Sequence, residues 1–273
     1  MNITFDHVTY RYTRETPPAL ADVTLAFDTT SPIIGICGKT GSGKSTFVQH
    51  LNGILKPTSG RLLIDEQDIH SSSNLLRSVR RRIGMTFQFP ERQLFGRTVW
   101  EELTYTLEYH HLASQEIERR LAVVAQWLEF DVVHYRDRSP FTLSRGEQRK
   151  LGIAVMLSLQ PELLILDEPT AGMDRRSSLQ LLDRLQQLHH QHNLHLILIS
   201  HDIELLLKYA EYLILINKGK IAFAGTSADL LAEAEHFERT GMSLPPVHRV
   251  LYVLQQWYPQ LNFGNLSVDK RTS

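Results

Sequence analysis

The sequence predicts an α/β fold: a parallel sheet covered by helices, with an antiparallel β portion at its start, a helical portion in its middle and a helical tail. Three observations predict it. Short apolar runs of strand length, "PIIGIC", "LLILD", "LHLILIS" and "YLILI", recur with helical segments between the later ones. Such runs are buried on both faces, as in a parallel sheet with crossover helices. The opening segments are instead rich in β-branched and aromatic residues, and the stretch from Thr98 to about Arg136 takes helical spacing.

In chain order, "ITFDHVTYRY" and "DVTLAF" read as two strands, and "PIIGIC" as a buried one. A glycine-rich turn leads into the helix "KSTFVQHLNGIL", followed by strands "GRLLID" and "RRIGMTFQF". Leu103, Leu107, Leu121, Val124 and Leu128 lie on apolar helix faces of the middle portion. A helix starts near Arg145, "LLILD" is a strand, and "RRSSLQLLDRLQQLHH" is a helix striped by Leu179, Leu182, Leu185 and Leu188. Strand "LHLILIS", helix "IELLLKYA" and strand "YLILI" follow, and "NKGK" turns the chain into "IAFAG" as a hairpin. Beyond Gly225 the pattern is mostly helical and closes on the amphipathic "PPVHRVLYVLQQWYPQL". No repeat, low-complexity tract or flexible linker interrupts this, which predicts one multi-lobed domain with a C-terminal appendage.

The 273 residues suffice for a large core, and 42% hydrophobic with 22% charged residues is ordinary globular composition. A net charge of −1 argues against an electrostatic grip on nucleic acid. Arg80-Arg81-Arg82, before a predicted strand, reads as a solvated face. The single cysteine, Cys37, excludes an internal disulfide and reads as a small buried side chain. The N-terminus has no signal-peptide pattern. No apolar run approaches the ~20 residues of a membrane helix, so a membrane role would be borrowed from a partner.

"GKTGSGKS", Gly38 to Ser45, matches G-x-x-x-x-G-K-[ST] between an apolar strand and a helix. Gly38, Lys39, Thr40, Gly41, Ser42 and Gly43 are expected to wrap a phosphate chain with backbone amides, and the helix entered through Lys44, Ser45 and Thr46 points its positive end at the anion. Lys44 reaches the β- and γ-phosphates, and the Ser45 hydroxyl ligates Mg²⁺. In "LLILDE", Asp167 ends a buried strand at the carboxyl edge of the sheet, where it can hold Mg²⁺ through water. Glu168 beside it can orient, and deprotonate, an attacking water.

Together, "GKTGSGKS", Gln88 in "TFQFP", "LSRGEQRKLGIA", "LLILDEPTAGMD" and His201 in "LILISHD" resemble an ABC-type ATPase, in order and interval, from about residue 3 to residue 225. The resemblance implies a P-loop NTPase (RecA-like) core, ATP and Mg²⁺ as ligands, and a domain over 1–225 with a helical subdomain at about 98–158; residues 226–273 form a helical, dimerising extension. It implies that Gln88 contacts Mg²⁺ and the attacking water, and that His201 hydrogen-bonds the γ-phosphate. Ala171, Gly172 and Asp174 belong to a loop that crosses between two ATPase subunits. Tyr12 is placed to stack on adenine, with Tyr10 as the alternative. "FQFPERQLFGRTVWEEL" further resembles the ATPases of energy-coupling factor (ECF) importers of vitamins and metal ions. The implied partners are a second, related ATPase, a transmembrane coupling subunit and a membrane substrate-binding subunit, with no nucleic acid, at the cytoplasmic face of the membrane. The alternative is a non-transport ABC ATPase acting as a clamp in repair, translation or assembly.

"LSRGEQRK" departs from the family signature, with Arg145 for glycine and Glu147 for glutamine, while Ser144 and Gly146 are kept. The resemblance implies that this segment closes on ATP held by the opposite subunit. If position 145 needs positive φ, the arginine is strained by ~1 kcal/mol. Glu147 suits a helix start but is unfavourable if it faces nucleotide. The expectation is a competent, altered signature in an asymmetric pair. "HHQHNLH", His189 to His195, and His110-His111 read as polar loops rather than metal ligands.

Overall fold

The computed structural model describes residues 1–30, 32–87, 93–226, 229–230 and 246–258. The chain divides into two compact units, residues 1–50, 55–68 and 198–273, and residues 51–54 and 69–197.

In the first unit, β1 (Asn2–Tyr10) pairs antiparallel with β2 (Leu20–Asp28) and β4 (Ser59–Ile64), and β5 (Gln67–Asp68) completes this sheet on β4. Register shifts after Phe5 place His7 and Asp22 at positive φ, marking a bulge. Phe5 stacks on Phe47, ring centroids 4.1 Å apart, and both are fully buried. Phe47 belongs to α1 (Lys44–Leu51).

β3 (Ile34–Cys37) pairs parallel with β9 (Tyr212–Asn217), as its apolar composition predicts. A Cβ on Gly35 would stand 2.7 Å from the end of the Leu213 side chain and 3.0 Å from the Ala210 Cβ, so a larger residue there would require these neighbours to give way. β9 folds back into β10 (Lys220–Thr226) through Lys218 and Gly219, both at positive φ. Two such residues are what a type I′ hairpin demands. The unit also holds α8 (Ile203–Tyr209) and α9 (Pro246–Trp257). Of the tail, residues 227–228, 231–245 and 259–273 lie outside the described residues.

The second unit contains a helix that the strand reading of "RRIGMTFQF" missed. Residues 73–82 form α2 (Ser73–Arg82), and β6 starts only at Ile83 (Ile83–Thr86). The Ser72 hydroxyl caps α2 by accepting from Leu75 N at 3.2 Å, and the arginines sit in the last turn, where the helix dipole favours cations. They are not merely a solvated face. Arg80 donates to the Gly53 carbonyl at 2.8 Å, and Arg82 clasps Glu162 at 2.8 and 2.9 Å. The predicted "KSTFVQHLNGIL" helix also ends early, at Leu51, because Gly53 turns at φ +66 beside Leu76.

β6 pairs parallel with β7 (Leu163–Asp167), Ile83 opposite Leu163 and Thr86 opposite Leu166. The helical portion comprises α3 (Val99–Tyr109), α4 (Ser114–Leu128), α5 (Val132–Tyr135) and α6 (Arg145–Ser158). The predicted apolar residues Leu103, Leu107, Leu121, Val124 and Leu128 are all buried. α7 (Arg175–His192) buries Leu181, Leu182, Leu185 and Leu188, with Leu179 half-buried beside that stripe. His189, His190 and His192 form its last turn rather than a loop. The His189 ring is 2.8 Å from the Leu194 carbonyl, and His192 packs on Trp127. The chain returns to the first unit along β8 (His195–Ile199). Among the described residues, no helix is long and apolar enough to cross a membrane.

Candidate functional site

The glycine-rich loop leaves β3 at Cys37 and enters α1 at Lys44. Gly38, Gly41 and Gly43 all take positive φ, +149°, +77° and +109°. For two of them space is also short. A Cβ on Gly38 would lie 2.3 Å from the Ile216 carbonyl oxygen, and one on Gly43 2.6 Å from that of Ala19. The β9–β10 turn braces the loop from the same unit: Gly219 N donates to the Ser42 carbonyl and Ala21 N to the Gly219 carbonyl, both at 2.8 Å.

Lys44 Nζ donates to the carbonyls of Gly38 at 2.7 Å and Lys39 at 3.1 Å, so its ammonium stands at the loop. The Ser42 hydroxyl is buried with no protein partner. Exposed Lys39, Thr40 and Ser45 complete the rim. An ammonium, an unsatisfied hydroxyl, backbone amides and a helix N-terminus are the donors a polyphosphate requires. Cys37, just before the loop, is inert: burial pushes its thiol up to about 12.

Tyr12 exposes its ring and shares a 3.0 Å hydrogen bond with Thr46. Tyr10 is half-buried, edge-on to both Tyr12 and His50 at 5.0 Å. His201 is exposed at the end of β8, where Ser200 N donates to the Ile36 carbonyl at 3.2 Å.

In the second unit, Asp167 ends the fully buried β7, and Asp167 and Glu168 are each 6% exposed. Glu168 takes φ +50°, a left-handed conformation that costs a non-glycine residue on the order of 1–3 kcal/mol and clusters at functional sites. The turn after it is held by Ala171 N donating to the Glu168 carbonyl at 3.1 Å. Asp174 then caps α7, its carboxylate accepting from Ser177 N at 3.0 Å, and hydrogen bonds from the Ser177 side chain and then its backbone hold the Asp174 pKa below the ordinary aspartate value. Carboxylate and hydroxyl oxygens of this kind suit a hard cation such as Mg²⁺.

The altered signature is unstrained. Arg145 is the first residue of α6 and is not among the positive-φ residues, so the strain expected of an arginine in a glycine position does not arise. Ser144 and Glu147 form a reciprocal capping box: Ser144 Oγ accepts from Glu147 N at 3.3 Å, and Glu147 Oε2 accepts from Ser144 N at 2.7 Å. Glu147 Oε1 accepts the Tyr135 hydroxyl. That bond, aided by Ser144 and by Arg138, holds the Glu147 carboxyl below the usual glutamate range despite partial burial.

The first unit thus joins Tyr12 to the loop of Gly38 to Thr46 and also carries His201. The second brings together Asp167, Glu168, the loop of Ala171 to Asp174 and the signature. Gln88 lies outside the described residues.

The ABC transporter family profile matches residues 20–171, spanning the loop, the signature and both carboxylates. The chain belongs to the ABC transporter ATPases. It is 36% identical over 259 residues to the energy-coupling factor transporter ATP-binding protein EcfA2 of Clostridium tetani, covering 94% of this chain and 90% of that one. It is 38% identical over 248 residues to the EcfA2 of Symbiobacterium thermophilum, covering 90% of this chain and 85% of that one. Among solved structures, cbiO1 from Clostridium perfringens, part of the ABC transporter complex cbiONQ, matches with TM-score 0.76 and 28% identity, over 91% of this chain and 98% of that one. The dimeric bacterial cassette MJ0796 matches with TM-score 0.74 and 25% identity, over 82% of this chain and 98% of that one. As an ABC ATPase the chain has the P-loop NTPase fold and binds and hydrolyses ATP.

Four contributors of this ABC ATPase escaped sequence reading. Gly219 and Ala19 brace the phosphate loop from residues distant in sequence, with no local signal. Tyr135 is equally silent. Glu102 is buried and accepts from Phe95 N at 2.8 Å and Gly96 N at 2.7 Å, setting the segment that follows residue 92.

Proposed function

We propose that this chain is the ATP-hydrolysing subunit that powers an ECF-type importer of vitamins or other micronutrients through membrane partner subunits. The observation that carries it is the 36% identity to an ECF ATP-binding protein over 94% of the chain. The braced phosphate loop supports the chemistry. Lys44 and the amides of Gly38 to Thr46 hold the phosphates, and the exposed Tyr12 ring, rather than half-buried Tyr10, stacks on adenine.

Ser45, Asp167 and Gln88 would hold Mg²⁺, which neutralises phosphate charge when bound. Glu168 orients the water that attacks the γ-phosphate in line, and His201 hydrogen-bonds the γ-phosphate. Ser144, Arg145, Gly146 and Glu147 close on the ATP of a second, related ATPase subunit, with Ala171, Gly172 and Asp174 in the loop crossing between the two. Opening and closing of this pair is a population shift biased by nucleotide.

The domain division follows the same reading: 1–225 is the ATPase domain, with a helical subdomain at about 98–158, and 226–273 is a dimerising extension. Exposed Val250, Val253 and Trp257 on α9 support that role for the tail. The region around residues 89–96 receives short helices of the coupling subunit. A cavity of about 250 Å³ lined by residues including Ile54, Met85, Phe87, Gln93 and Met156 supports a docking function there. The chain works peripherally at the cytoplasmic face of the membrane, beside a substrate-binding membrane subunit.

The test is affinity purification of the tagged chain from native membranes in mild detergent, with mass spectrometry of every bound chain. A second ATPase and polytopic membrane subunits are expected. Recovery of this chain alone, without membrane subunits, would remove the transport assignment.

A further inference from the structure

Glu147 has two occupations, both toward its own unit. One carboxylate oxygen accepts the Ser144 amide at 2.7 Å, and the other accepts the Tyr135 hydroxyl. Tyr135 is itself fixed. Its ring stacks on Phe130 with centroids 5.2 Å apart, and the Arg138 guanidinium lies 5.5 Å from its centre. Its backbone is held by Asp131 and Arg138, at 3.1 and 2.9 Å.

The consequence falls on Ser144. Its hydroxyl oxygen accepts from Glu147 N at 3.3 Å, so its own proton remains to be donated to an anion. Only a carboxylate accepts at both oxygens with full charge. A glutamine at 147 keeps the capping oxygen but offers Tyr135 a neutral amide, a weaker partner. The glutamate in this signature is therefore matched to the tyrosine twelve positions earlier.

We infer that Tyr135 is a positioning residue for hydrolysis: through its hydrogen bond to Glu147 it sets Ser144 to face the nucleotide held by the opposite subunit. This rests on the reading of Ser144 to Glu147 as the segment that meets that nucleotide. Phenylalanine at 135 preserves the ring stacked on Phe130 and removes only the hydroxyl, so loss of packing does not explain its effect.

The test is steady-state ATP hydrolysis by the full chain co-purified with its partner subunits, for Ser144→Ala, Tyr135→Phe, Glu147→Gln and the Tyr135→Phe/Glu147→Gln double variant. Ser144→Ala should lose most turnover. Tyr135→Phe should lower kcat about three- to tenfold, the worth of one hydrogen bond, with KM for ATP unchanged. In the Glu147→Gln background the same change should cost less than about twofold. If Ser144→Ala is inactive while Tyr135→Phe keeps the wild-type kcat, or costs the same fold in both backgrounds, the positioning role is overturned and the signature reading stands. If Ser144→Ala turns over normally, the signature reading fails and the inference fails with it.

Discussion

Arg145 lies against Gly172: a Cβ built on the glycine would stand 3.5 Å from the arginine Cδ and 3.9 Å from Nη1. The one signature residue that is arginine instead of glycine thus packs along the loop proposed to cross between subunits, in the same unit. Gly172 takes φ +79°, so its conformation as well as its lack of a side chain accommodates this contact.

Replacing Arg145 by glycine should therefore release no strain. It should cost up to about 1 kcal/mol of helix stability, because glycine is the poorer helix former in α6, and free the Gly172 loop. Turnover should change severalfold in a steady-state assay, with a slightly lower Tm. Unchanged turnover would mean that the departure is neutral.

Glu168→Gln should retain ATP binding and lose hydrolysis by roughly 10²–10⁴-fold, the range for a positioned general base. Size-exclusion chromatography with ATP should then show an accumulated closed dimer. Near-normal turnover in this variant would refute the role assigned to Glu168.

Lys44→Ala should abolish measurable nucleotide affinity in a calorimetric titration. The ammonium, held at the Gly38 and Lys39 carbonyls, is the cation that the motif's spacing assigns to the β- and γ-phosphates. Intact affinity would contradict the phosphate-loop assignment.

Gly43→Ala should weaken nucleotide binding and lower Tm together. The new methyl would stand 2.6 Å from the Ala19 carbonyl oxygen at φ +109°, so the loop must move off its brace. Thermal melts with and without ATP measure both effects; a variant with wild-type values for each would show that the brace is dispensable.

Glu102→Ala should destabilise the fold by about 2 kcal/mol or more, since it strips the shared acceptor from two backbone N–H groups. Urea unfolding gives the difference directly. A loss under about 0.5 kcal/mol would mean that water replaces the carboxylate.

Much of this site was legible because its parts are contiguous. A phosphate loop is one strand, one turn and one helix start, and glycine, lysine and serine at fixed spacing encode its backbone and donors without help from elsewhere. The same holds for "LLILD", whose uninterrupted apolar run announces a strand buried on both faces and leaves Asp167 at its end. The α2 helix was missed because "SSSNLLRSVRRR" is polar, with a short apolar side of Leu75, Leu76 and Val79. Its start rests on one serine cap and its end on the strand that follows. The histidines after Leu188 looked like a loop because polar residues there fit either, and only Asn193 at φ +54° shows where the helix stops.

By itself the sequence determined the family and the motifs that carry it: the glycine-rich loop, the carboxylates that end an apolar strand, and the altered signature. Only the tertiary structure decided how those residues are held. Ala19 and Gly219 brace Gly43 and Ser42 through contacts between residues far apart in the chain, and Tyr135, twelve positions before Glu147, holds it against Ser144. Local backbone preferences are written in neighbouring residues, whereas a contact across many residues exists only after folding has offset the entropy of closing the loop between them.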